Sequence, residues 1–340
     1  MRIAIGLSGG TDSAAAALLL KRAGDTPVGI TLILCGNEDV SGAARIADTL
    51  GIEYHSVDMR KQFRTRVMEP FAAAWRRGET PNPCVLCNQA IKFGAFFDVA
   101  AELGCEIVAT GHYARTVFRD GAWRLYTGLD QNKDQSYFLW TLTSEKLARI
   151  HFPLGKLTKT DARRIVNEAS LPVQSRESQD VCFIPDGDCG GFLNRFCGVE
   201  PGGQILGTDG SILGAHRGLG YYTVGQRRGL GVSALQPLYV TEKNWKENTV
   251  ILGEECDLYK KRVYLRNVRF ISGAPVPDGD EVEAKVRYTR TASPAQFTSV
   301  GKDVGILTFT APVRAPAPGQ SAVLMRQDEV LGGGIIVGAE

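Results

Sequence analysis

Arg2-Ile-Ala-Ile-Gly-Leu7 is a short apolar run that leads directly into Ser8-Gly9-Gly10-Thr11-Asp12-Ser13, and an alanine- and leucine-rich stretch from Ala14 to Ala23 follows. Strand, glycine-rich turn and helix, in that order, constrain the chain more than any other segment. Adjacent glycines let the backbone approach an anion closely and take angles that a Cβ forbids. The helix behind them offers unpaired N–H groups and the positive end of its dipole. The turn reads as a cradle for the pyrophosphate of a nucleotide. No Lys follows the glycines, so it is not the loop that grips β- and γ-phosphates through a Lys-Ser/Thr pair.

The rest of the first half fits such a turn. Pro27–Leu34 reads as a buried strand, Gly42–Leu50 as a helix and Glu53–Val57 as a strand. Met59–Arg77 and Ala90–Leu103 read as helices and Glu106–Thr110 as a strand. Strands alternating with helices predict a doubly wound parallel sheet, with its ligand at the carboxyl ends of the strands. Val117–Tyr126 reads as a hairpin turned at Asp120-Gly121, and Leu157–Ala169 as a further helix. Beyond about residue 173 short β-rich runs take over, among them Thr249–Leu252, Arg262–Leu265, Val282–Tyr288, Gly305–Phe309 and Ala322–Met325, which predicts a small β-barrel. The expected fold is thus α/β plus all-β. Residues 1–173 form a pyrophosphate-loop ATPase domain, 174–245 a small central domain and 246–340 a C-terminal barrel. A chain of 340 residues has room for several such units.

Composition excludes several classes. The net charge of +2 rules out a bulk polycation but not a local basic face. Lys260-Lys261-Arg262 reads as a solvated face, and Arg227-Arg228 as the better candidate for phosphate contact. No apolar run approaches the ~20 residues of a membrane span, and no signal-peptide pattern is evident, so a cytoplasmic protein without a membrane partner is expected. The eight cysteines are then expected to be reduced, and the interesting ones to be reactive or metal-binding.

Thr80-Pro-Asn-Pro-Cys84-Val-Leu-Cys87-Asn88 places a C-x-x-C pair in a proline-stiffened loop just ahead of the helix expected from Ala90, a position that favours thiolates. Ser175-Arg-Glu-Ser-Gln-Asp-Val-Cys182-Phe is a second polar loop ending in a cysteine. Cys35, Cys105 and Cys256 lie in apolar runs and read as core residues.

Ser-Gly-Gly-x-Asp-Ser is similar to the loop of enzymes that split ATP into AMP and pyrophosphate. Taken with Ile91-Lys-Phe-Gly94, Ala109–Arg115, Lys133–Leu139, Ser175–Ile184, Tyr222–Gly231, Val286–Tyr288, Pro318–Gln320 and Leu331–Gly334, the whole chain resembles the bacterial tRNA-specific 2-thiouridylase family. The resemblance implies thiolation of C2 of the wobble uridine in tRNAs for Lys, Glu and Gln. ATP, with Mg2+, would adenylate the C2 oxygen and release pyrophosphate, and sulfur would then displace AMP. It implies that Gly6, Leu7, Ser8, Gly9, Gly10, Thr11, Asp12 and Ser13 cradle ATP, with Gly111 nearby and Leu32 where relatives often carry Met. Cys182 would bear a persulfide, charged by a sulfur carrier or cysteine desulfurase, and Cys87 would be the partner nucleophile. Asn82, Pro83 and Cys84 would meet the target base. His112, Lys133, Asp134, Gln135, Arg287, Tyr288 and Gln320 would touch the tRNA anticodon stem-loop. Cys84 stands where some members carry Asp. A second route therefore has Cys84, Cys87 and Cys182 ligating a [4Fe–4S] cluster that binds hydrosulfide, although a fourth ligand is missing. Competing readings are an amide-forming ligase with dispensable thiols, and a tRNA-binding protein with a vestigial loop.

Overall fold

Apolar strands buried on both faces form the first layer. In the computed structural model, which describes residues 1–174, 181–184, 186–198 and 201–340, β1 (Arg2–Gly6), β2 (Thr26–Ile33), β3 (Glu53–Asp58) and β4 (Ile107–Ala109) come first. The hairpin β5 (Ala114–Arg119) and β6 (Ala122–Thr127) and the short β7 (Ile150–His151) complete the first half. The sheet runs β3-β2-β1-β4-β7 with every pairing parallel. Chain order reverses between β1 and β4, which opens a ligand crevice at their carboxyl ends.

Four helices position the site. α1 (Thr11–Arg22) starts at the glycine turn with Gly10 as its cap, and α2 (Val40–Leu50) is capped by the Asp39 carboxylate, which accepts from Gly42 N. α3 covers residues 60–76 and contains a π turn at Arg64–Met68. α4 runs over Pro83–Glu102. Its start differs from the sequence reading: the prolines do not exclude helix. Pro83 takes the first helical position, where its missing N–H costs nothing, and the Asn82 side chain caps Cys84 N at 3.0 Å. Cys84 and Cys87 therefore lie on the helix, not in a loop before it. By length and composition α4 could cross a membrane, but half of its apolar window is buried inside the protein, with Phe93, Phe96 and Ala100 in the core.

The second half is β-rich, as expected, and the described residues add an α-helix at Cys189–Cys197. β8 (Gly203–Gly207), β9 (Ile212–His216), β10 (Tyr239–Asn244) and β11 (Thr249–Gly253) form a sheet in the order β10-β11-β8-β9. The run at 249–252, read with the barrel, thus belongs to this central sheet, because β11 is hydrogen-bonded on both edges there. β12 (Tyr259–Phe270), β13 (Glu281–Lys285), β14 (Ser293–Gly301), β15 (Val304–Arg314), β16 (Ser321–Arg326) and β17 (Glu329–Ala339) close into an antiparallel barrel through the β12–β17 pairing. The β5–β6 hairpin turns at Asp120 and Gly121, both with positive φ, as its sequence predicts. It joins the barrel sheet by pairing with β17, so the N-terminal and C-terminal halves share one sheet.

Candidate active site

The glycine turn is built around one hydroxyl. Ser13 Oγ accepts from Ser8 N at 3.1 Å, lies 3.1 Å from Ser8 Oγ and donates to Gly10 O at 3.0 Å. Gly9 sits at φ +80, where a Cβ would come within 2.9 Å of Asp39 Oδ2. Gly111, just past β4, packs against the same turn, and a Cβ there would meet the Asp12 carbonyl carbon at 2.9 Å. Gly6, Leu7, Thr11 and Gly111 are therefore gathered at the switch point, with Leu32 on the adjoining strand β2.

Asp12 is held by groups the sequence did not flag. Lys159 Nζ reaches both its carboxylate oxygens at 2.8 Å, and Tyr113 OH donates to Oδ1 at 2.8 Å. Lys159 opens the helix at Lys159–Glu168, 147 residues from Asp12 in sequence, and no local pattern signals so distant a partner.

The segment 34–39 connects this turn to the thiols. The Glu38 carboxylate accepts from the backbone N–H of Leu34, Cys35 and Gly36 at 2.8, 2.8 and 2.9 Å, which fixes the loop after β2. Asn37 Nδ2 donates to Cys182 O at 3.2 Å, and Asp39 Oδ2 accepts from Gln174 Nε2 at 2.7 Å. Cys182 is exposed. Its preceding residues Ser175–Asp180, part of the expected second loop, lie outside the described residues.

Cys35 is not the core residue its apolar run suggested. It is half-buried and hydrogen-bonded to the Cys182 sulfur, which pulls the Cys182 thiol down to about 7 and pushes Cys35 up. Cys256 is also exposed rather than core, whereas Cys105 is buried as expected.

Cys87 is only 8 % exposed. Burial pushes its thiol up to about 12, and it also raises Cys84, although the Cys84 residue is exposed. This corrects the expectation that the helix start would favour both thiolates, because desolvation outweighs the dipole here. The charge opposing it is Lys92, which favours the thiolate of Cys84, Cys87 and Cys182 alike. Asn88–Ala95 is a π turn, and Phe93 leaves helical geometry inside it. Hydrogen bonds that run to the fifth residue bring Lys92 toward the face of Cys87, which ordinary α-helical spacing would not. The Phe93 carbonyl is taken by Lys146 Nζ at 2.6 Å.

Among the described residues no group of three His, Cys, Asp or Glu side chains could hold a metal ion. Cys182 lies within electrostatic reach of Cys35, Cys84 and Cys87.

The expected RNA contacts divide. Tyr288 is half-exposed, its ring is 4.6 Å from that of Phe138, and its OH donates to Asp134 O at 2.8 Å. The motifs around Lys133 and Arg287 are thereby brought together, and Arg287 is anchored to Ala315 O at 2.7 Å. Two residues are not presented. His112 is buried, paired with Thr110 Oγ1 at 2.7 Å and packed on Phe93 and Phe152. Burial and Lys92 push it well below the usual histidine range, so it is neutral. The Asp134 carboxylate is buried, accepting from Gly128 N, Ser136 N and Ser136 Oγ. Gln135 Oε1 accepts from Tyr113 N. Gln320 Nε2 donates to Thr80 O at 2.7 Å, and Thr80 N donates to Pro318 O at 2.6 Å, so the barrel holds the loop that leads to Asn82, Pro83 and Cys84.

Three family models match the chain: the tRNA methyl transferase HUP domain over residues 1–186, the tRNA methyl transferase PRC-barrel domain over 190–254 and the aminomethyltransferase beta-barrel domain over 260–336. A tRNA-specific 2-thiouridylase of Syntrophomonas wolfei is 42% identical, covering 99% of this chain and 100% of the relative. Those of Desulforudis audaxviator and Carboxydothermus hydrogenoformans are 41% and 37% identical, with 98% of this chain covered by each and 98% and 97% of the relatives. A pyrophosphate-loop α/β domain, a central sheet and a closed barrel, matched at this identity over nearly the whole length, place the chain in the tRNA-specific 2-thiouridylase family.

Proposed function

We propose that the chain is a tRNA sulfurtransferase that converts the wobble uridine of tRNAs for Lys, Glu and Gln to 2-thiouridine at the expense of ATP. The observation that carries the reading is the 34–39 segment. It touches the phosphate turn through Asp39 beside Gly9, and the reactive cysteine through Asn37. Activation and sulfur delivery are thus built on one loop. The matched family models carry methyl transferase in their descriptions, but a pyrophosphate turn with reactive thiols beside it suits activation of an oxygen followed by sulfur attack.

The chemistry follows from leaving groups. The C2 oxygen of uracil is poor in that role, and an adenylate is good. The turn from Gly6 to Ser13 binds the phosphates, with Gly111 close against it, and Leu32 lines the nucleotide side. Asp12, held by Lys159 and Tyr113, is the turn's carboxylate and would share Mg2+ with the phosphates, since that ion is commonly held by one or two carboxylates plus substrate oxygens. The uridine attacks the α-phosphorus through its C2 oxygen and pyrophosphate leaves. Sulfur carried on Cys182 is released as hydrosulfide when a second thiol attacks Cys182 Sγ and forms a disulfide with it; the hydrosulfide then attacks C2, and AMP departs with the original oxygen. Cys182, with its thiol at about 7, is charged by a persulfide-donating carrier or desulfurase. Cys87, kept protonated by burial, is the second thiol at the base. Asn82, Pro83 and Cys84 border that base, which has to leave its stack to be reached. Lys133, Gln135, Arg287 and Tyr288 form the patch offered to the anticodon stem-loop. Gln320 works through the Thr80 loop, and His112 and Asp134 from inside the wall.

The test is anaerobic incubation with Mg-ATP, unmodified tRNA-Lys and a sulfur source, followed by nucleoside mass spectrometry. A 2-thiouridine signal that requires ATP and vanishes in Cys182→Ser is expected. Retained activity in that variant would contradict the reading and favour an adenylating enzyme whose thiols are dispensable.

A further inference from the structure

Cys35 and Cys182 line one pocket of about 350 Å³, together with Asn37, Arg60, Arg64 and Phe183. The two cysteines come from opposite ends of the nucleotide-binding half and are brought face to face by specific bonds. Glu38 clamps the backbone of residues 34–36, and Asn37 holds the Cys182 carbonyl. The two side chains lie close enough in that pocket for each to shift the other's thiol, Cys182 downward and Cys35 upward. Cys87 is buried in the wall among Met59, Phe63, Val67 and Ile91, the cluster against which the half-buried Cys35 also packs.

We propose that Cys35 is the resolving thiol for sulfur carried on Cys182, releasing hydrosulfide into the pocket that the two residues share. This rests on the reading of Cys182 as the sulfur carrier. With a persulfide on Cys182, the Cys35 sulfur attacks the Cys182 Sγ. A Cys35–Cys182 disulfide forms, the bond from Sγ to the terminal sulfur breaks, and that sulfur leaves with the electron pair. The Cys35 proton departs with it as HS⁻. The two cysteine sulfurs are oxidised to the disulfide and the sulfane sulfur is reduced to sulfide, so no external oxidant enters. Resetting the pair requires a dithiol reductant. The pocket is open, which suits charging by a persulfide presented on a partner's cysteine.

The experiment loads the whole chain with glutathione persulfide, without ATP or tRNA, and reads released hydrosulfide and non-reduced peptide maps. In the native protein, hydrosulfide release with a Cys35–Cys182 linked peptide is expected. In Cys35→Ser, and in Cys35→Ala as a second variant, Cys182 should retain the mass of one added sulfur, and release should fall about tenfold or more. Each variant's melting temperature is compared with the native protein's. A Cys87–Cys182 peptide in place of the Cys35 one, or undiminished release from both Cys35 variants, would overturn the role of Cys35 while leaving Cys182 as carrier. Absence of added sulfur on Cys182 in every variant would overturn the carrier reading itself, and this proposal with it.

Discussion

At Cys182, reactivity is set by one neighbour. The hydrogen bond from Cys35 is the main cause of its thiol lying near 7, below the ordinary thiol value, against a desolvation that works the other way. A lowered thiol pKa means the thiolate is present above about pH 7 and lost as pH falls through it. Alkylation of Cys182 by iodoacetamide should therefore titrate with a midpoint near 7, while Cys87, pushed up to about 12, stays unreactive at neutral pH. Cys35→Ala should move the Cys182 midpoint upward, because it removes the donor that lowers it. An unchanged midpoint would show that Cys35 does not govern it. Gly111 supplies a second residue-scale expectation. A methyl at that position would press on the Asp12 carbonyl carbon at 2.9 Å, so Gly111→Ala should destabilise the fold by about 1–3 kcal/mol and weaken ATP binding, measured by thermal melting with and without ATP. The glycines and Cys182 were legible as residue types in sequence. Cys35 was not, because an apolar flank looks the same whether the side chain faces the core or a pocket.

At the scale of elements, α4 is the informative one. The sequence reads Pro83 as part of a stiffened loop, yet a proline at the first helical position is compatible with helix, and Pro83–Glu102 is helical but for Phe93. The π turn at Asn88–Ala95 then changes which residues share a face. That change cannot be read from 3.6-residue periodicity, so Lys92 escaped notice although its motif was seen. Lys92→Met should raise the thiol pKa of Cys84, Cys87 and Cys182, since it removes the charge that favours all three thiolates. Lys92→Arg should keep them near the native values. Alkylation rates followed against pH distinguish the two variants, and equal profiles would refute the shared role. α1 carries a related expectation: Lys159→Met leaves the Asp12 carboxylate short of its cation. It should cost on the order of 2 kcal/mol and impair ATP-dependent pyrophosphate release.

Across the whole molecule, the two halves act on one loop. Alternation of strands and helices was enough to anticipate the parallel sheet, and short β-rich runs were enough to anticipate the barrel. What periodicity could not convey is long-range attachment: the β5–β6 hairpin pairing with β17, and Gln320 holding Thr80 across 240 residues. Gln320→Ala should leave the Thr80 carbonyl without that donor, at about 1 kcal/mol in stability. Its kinetic effect should fall on tRNA, with KM for tRNA rising and KM for ATP unchanged. Equal effects on both would place Gln320 elsewhere in the mechanism.

The proposed joining of adenylation and sulfur transfer at one base has an isotopic signature. tRNA-Lys carrying 18O at the C2 position of the wobble uridine would be converted in a single turnover with ATP and persulfide-loaded protein. The AMP and the nucleoside would then be weighed together. One labelled oxygen in AMP for each 2-thiouridine formed is the expected result. Formation of 2-thiouridine with unlabelled AMP would contradict activation of the C2 oxygen by ATP.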